Sequence, residues 1–99
     1  MSVFARRLKE ARLRAGLSQE RLGVIAGIDE MSASARMNQY ERGKHAPDWL
    51  TVERLAVALG VPVAYLFATD DDAAELLLTY YSLPAERRTA ALTAVKALV

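Results

Sequence analysis

The chain has no cysteine, one histidine, three prolines and five glycines among 99 residues. Without thiols there is no disulfide framework and no thiolate metal centre, a composition that suits a reducing compartment. The single histidine, His45, has no cysteine or second imidazole to share a metal with, so no metal site is expected. There is no glycine-rich phosphate loop and no carboxylate pair placed for acid–base work. That inventory argues against an enzyme, and no cofactor is expected. No apolar run reaches the length of a membrane span, and the N-terminal MSVFARRLKEARLRAG is interrupted by arginine and lysine where a signal peptide would be hydrophobic. The expectation is a cytoplasmic protein with no membrane partner.

What is present is apolar and helical. Hydrophobic residues make up 53% of the chain, enough for a packed core, and the length suits one domain with a short appendage. Apolar residues recur at helical spacing, with no strand-like alternation. Phe4, Leu8, Ala11 and Ala15 form one stripe, ended by Gly16. Ser18 caps a second helix with Leu22, Ile25 and Ala26 inward and Gly27 at its end. Residues 28–33 read as a connection. Ser32 or Ser34 then caps a third helix, which passes through Met37 and Tyr40 and stops at Gly43. Pro47 and Asp48 introduce a fourth, with Trp49, Val52, Leu55, Ala56 and Leu59 buried and Gly60 closing it. Pro62 opens a short fifth carrying Tyr65, Leu66 and Phe67. The predicted fold is all-α: a five-helix domain over residues 1–68 and a C-terminal extension of two helices over 69–99. The run Asp70–Asp72 reads as a helix start favoured by the macrodipole.

Net charge is +1 and says little by itself. Its distribution says more: residues 1–47 hold nine basic and five acidic side chains, residues 48–99 four and seven. A basic front and an acidic back suit a molecule that sets one face on a polyanion.

Four separated motifs stand in order: Gly16-Leu17-Ser18-Gln19-Glu20-Arg21-Leu22, then Tyr40-Glu41-Arg42-Gly43-Lys44, then Pro47, then Leu59-Gly60-Val61-Pro62-Val63-Ala64-Tyr65-Leu66. Together they resemble the lambdoid phage repressor and Cro (XRE-type) family of helix-turn-helix proteins, from residue 6 to about 68. The five-helix lambda-repressor-like fold is what that resemblance implies. Gly27 to Tyr40 is longer than the usual pattern by roughly one helical turn. The extended form, followed by Ala35-Arg36-Met37-Asn38-Gln39, is similar to a subgroup of controller proteins of restriction–modification operons.

The resemblance puts the reading helix at Ser34–Arg42. A major groove about 12 Å wide admits one helix with a polar outer face and a packed inner face. Met37 and Tyr40 supply the inner face, leaving Ser34, Ala35, Asn38 and Gln39 outward as base contacts. Asn and Gln amides pair with adenine, and Ala35 suits a thymine methyl. Arg36, on the flank, reaches a guanine or a phosphate. The resemblance further assigns phosphate contacts to Gln19, Arg42, Lys44 and His45, and a structural ion pair to Arg12 and Glu41.

One short helix reads too few base pairs to select an operator among ~10⁶ or more competing sites. Two copies on a palindromic operator solve this. Leu76, Leu77, Tyr80, Tyr81, Leu92, Val95 and Leu98 give the extension more apolar surface than two helices bury alone. Part is expected to pack on Trp49 and Phe67 and the rest to form a homodimer interface. The functional expectation is a transcription regulator that binds double-stranded DNA, with RNA polymerase a candidate further partner. Its role is that of a controller protein or, alternatively, a prophage-type repressor or an antitoxin that binds a toxin and autoregulates its operon.

Overall fold

Six α-helices and one 3-10 turn follow one another in the computed structural model, which describes residues 2–99. They are α1 (Val3–Arg14), α2 (Gln19–Ile25), α3 (Glu30–Glu41), α4 (Trp49–Leu59), the 3-10 turn (Val63–Phe67), α5 (Asp71–Ser82) and α6 (Ala85–Lys96). Among the described residues there is no strand. Local chemistry sets most of these boundaries. The side chains of Ser2, Ser18, Asp29, Asp48 and Asp70 each accept a backbone N–H from the first turn that follows. At the other end of α3, Gly43 adopts φ 72°. The N–H of Gly43 then reaches the Tyr40 carbonyl and that of Lys44 the Gln39 carbonyl, satisfying two otherwise free acceptors.

The start of α3 departs from the sequence reading. Residues 30–33 are helix, and the cap is Asp29, whose carboxylate accepts from the Met31 N–H at 3.1 Å, not Ser32 or Ser34. Ile28 and Ala33 are both buried in the core. Burial of these two apolar residues gives the segment a reason to be helical that its polar neighbours hide. α3 therefore begins about one turn earlier than the Ser34 start expected from the sequence.

The core has two joined halves. Leu8, Leu22, Ala26, Ile28, Ala33, Met37, Tyr40 and Leu55 pack between α1 and α4. Ala11, Val52, Ala56, Tyr65, Leu66 and Ala74 form the second half, with Phe4 and Leu59 touching both. Ala74 belongs to α5, so the extension is stitched to the domain there. Arg7, itself buried, adds a polar stitch: its Nε donates to the Ala68 carbonyl at 2.9 Å and its Nη2 lies 2.9 Å from Asp71. Hydrogen bonds from Arg6 and then Arg7 hold the Asp71 carboxyl below its ordinary range. The Asp70–Asp72 run thus supplies both a cap and an anchor.

Three expected core positions lie outside it. Ala15 and Ile25 are exposed, and Trp49 keeps more than half its surface in water. The inward position on α2 is taken by Gly23, whose lack of a side chain lets α3 approach. Trp49 stacks on Phe67 at 6.4 Å, and Phe67 meets Phe4 at 5.5 Å, as a surface cluster. The extension docks through Ala74 and Arg7 rather than on this cluster.

Candidate nucleic-acid interface

The site is built on an ion pair. Arg12 on α1 grips Glu41 at the end of α3 through two bonds, Nε to Oε2 at 2.6 Å and Nη2 to Oε1 at 3.0 Å. Its remaining nitrogen donates to the Leu17 carbonyl at 2.8 Å, which ties the pair to the α1–α2 turn. Glu41 is only 3% exposed, and it accepts a further bond from the Gln19 amide at 3.2 Å. With all three guanidinium nitrogens and both carboxylate oxygens bonded, the pair locks α3 against α1 and α2; a two-point guanidinium–carboxylate contact fixes angle as well as distance.

With its base held, α3 turns one face in and one face out. Ala33, Met37, Tyr40 and Glu41 are buried. At 100° per residue the opposite direction is occupied by Met31, Ala35, Asn38, Gln39 and Arg42. All of these are exposed except Asn38, which is half-buried and accepts from the Gln19 amide at 3.4 Å. Of the five residues expected to contact bases, Ala35 and Gln39 lie on the outer face, Asn38 is half-buried at its edge, and Ser34 and Arg36 stand exposed on opposite flanks. The Gln19 amide nitrogen is directed inward onto Asn38 and Glu41, so it helps to hold α3 in place.

The flanking basic residues fall in two places. Lys9, Arg12, Gln19, Asn38, Glu41 and Arg42 line one cleft between α1, α2 and α3. Lys9 was missed by the sequence reading. Its signal was there: it lies three residues before Arg12 and so shares its side of α1. Lys44 and His45 are exposed on the loop after Gly43, across a hollow lined by Phe4, Tyr40 and Phe67.

At the far end, α5 and α6 form a hairpin with an apolar groove of about 420 Å³. Leu76, Leu77, Tyr80, Leu92 and Val95 line it with Ala73, Leu83 and Ala91. Tyr81 is turned aside, edge-on to Tyr80 at 5.1 Å and beneath Arg88, and Leu98 projects beyond the end of α6. No residue of α6 is buried. Among the described residues no helix is long and apolar enough to cross a membrane, and no cluster of His, Asp or Glu gathers as a metal site.

Comparison with known proteins bears on this geometry. The helix-turn-helix domain family matches residues 3–66, which covers α1 through all but the last residue of the 3-10 turn. An SPbeta prophage-derived uncharacterized HTH-type transcriptional regulator, YonR of Bacillus subtilis (strain 168), is 36% identical over 64 residues. That match takes in 65% of this chain and 56% of the relative, so the chain spans little more than half of that protein. The crystal structure of the transcriptional regulator BswR superposes with a TM-score of 0.88 at 48% identity, over 98% of this chain and 94% of that one. The likeness to BswR therefore runs through the α5–α6 hairpin as well as the domain.

Proposed function

Since the chain belongs to the helix-turn-helix domain family, we propose that it is a transcription regulator that reads double-stranded DNA with α3, as a homodimer on a palindromic operator. The observation that carries this is the outer face of α3: a polar, accessible surface on a helix whose opposite side is buried and whose end is locked by Arg12 and Glu41. Ser34, Ala35, Asn38 and Gln39 are the base contacts, with Arg36 at the edge. Lys44, Arg42, His45 and Lys9 face the phosphates, and Gln19 meets one through its backbone N–H at the start of α2. Two regulators among the similar proteins support the reading.

The hairpin is the dimerisation element, and residues 1–68 the DNA-binding unit. An α6 with no buried residue beside an apolar groove gains stability from a partner that covers both. Two copies place two reading helices about 10 base pairs apart, or a multiple of that.

Two roles fit such a regulator. The extra turn at the start of α3 supports a controller protein of a restriction–modification operon, with RNA polymerase a partner where binding activates. The prophage-derived relative supports a prophage-type repressor. A neighbouring endonuclease and methyltransferase gene pair decides for the first, an integrase gene for the second. Selection of bound duplexes from a random oligonucleotide pool tests the core of the proposal. The expected result is a palindrome with a fixed half-site spacing; an absence of any enriched sequence refutes it.

A further inference from the structure

The first turn of α3 is a regular, anchored piece of helix. Asp29 caps it, the Ser32 N–H reaches the Asp29 carbonyl at 2.9 Å, and Ile28 and Ala33 pin it to the core. It cannot be a loose loop that swings away from whatever α3 touches.

Met31 stands on this turn and is 92% exposed. Isolated apolar residues are common on protein surfaces and need no explanation by themselves. The position of Met31 sets it apart. It precedes Ala35 by four residues, Asn38 by seven and Arg42 by eleven, so the helical repeat places all four along one line. Met31 is the tip of the line that reads DNA, about 6 Å along the axis beyond Ala35.

We infer that Met31 is a specificity-determining residue that packs its thioether side chain against a thymine methyl group, extending the reading surface beyond the base pairs reached by Ala35 and Gln39. This rests on the proposal that α3 enters the major groove. The side chain has no charge for a phosphate and no donor or acceptor strong enough for a base edge. The thymine C5-methyl is the apolar feature that the major groove offers it. An unbranched, flexible thioether adapts its length to that methyl more readily than a β-branched side chain.

The test uses the full chain and its selected operator. Each thymine is replaced in turn by deoxyuridine, which removes the methyl and keeps the base pairing. The wild-type chain is expected to lose about fourfold in affinity at one thymine outside the span governed by Ala35 and Gln39, the value for one buried methyl-sized group. Met31→Ala is expected to bind the unmodified operator about fourfold more weakly and to be insensitive to deoxyuridine at that thymine. Its melting temperature is expected to match wild type, because the side chain touches solvent. If both chains respond alike at every thymine, the inference is overturned while the regulator reading stands. If the wild-type chain selects no sequence, both fall together.

Discussion

A methyl group added at Gly23 would lie 2.9 Å from the Cβ of Ala33 and 3.1 Å from Cγ of Met37. At this crossing α2 and α3 approach so closely that the absence of one side chain sets the pose of the reading helix. Gly23→Ala would gain about 0.4–1 kcal/mol by restricting the unfolded chain. Crowding two buried side chains that have nowhere to go costs about 1–3 kcal/mol. The clash wins, and the melting temperature is expected to fall. Adding Ala33→Gly reopens the crossing, so the double variant is expected to bind DNA better than Gly23→Ala alone. A Gly23→Ala chain at least as stable as wild type would contradict this.

Glu41→Ala leaves the Arg12 guanidinium, whose side chain is 11% exposed, without its carboxylate. Breaking such a pair costs about 3–5 kcal/mol. Asn38→Ala removes a half-buried amide whose only bond among the described residues is the long one to Gln19, and its effect on stability is expected to be much smaller. Denaturant titrations of the two variants separate them; equal midpoints would mean that the pair does not anchor α3.

Lys44→Ala and Gln39→Ala are expected to differ in kind. The first weakens every duplex by a similar factor and makes the salt dependence of binding shallower by about one phosphate contact. The second relaxes preference at one or two base pairs by about 1–3 kcal/mol. Binding measured across salt concentrations and across single-base operator variants distinguishes them. Parallel behaviour would remove the division between phosphate and base contacts.

Leu92→Asp puts a charge in the groove between α5 and α6 without disturbing a buried residue of α6. Sedimentation is expected to show wild type as a dimer and the variant as a monomer, with helical content retained. The variant is expected to bind half-sites weakly and to lose the tighter binding of the full palindrome. A wild-type chain that sediments as a monomer at micromolar concentration would end the case for this interface.

Much of the fold was legible in local chemistry. Ser18, Asp48 and Asp70 cap helices, and Gly16, Gly27, Gly43 and Gly60 end them with positive φ, because these residues act on backbone groups only a few positions away. The apolar stripes of α1 and α4 were readable for the same reason, apart from Ala15 and Trp49. The outer face of α3 followed from Met37 and Tyr40 alone.

What local pattern could not decide depends on neighbours distant in the chain. Asp29 rather than a serine opens α3 because Ile28 and Ala33 find burial against α1 and α2, a gain that exists only once those helices are in place. Gly23 looks like a helix breaker until α3 is seen lying against it, and Ile25 looks like core until that space is found taken. Lys9 joins Arg42 only after α1 crosses α3. The amino-acid order by itself determined the number of helical segments, though not that the fifth is a 3-10 turn, and most of their apolar faces and ends. Tertiary packing decided how far the reading helix extends and which side chains stand beside it, because those outcomes turn on surface buried between segments that no short window of sequence contains.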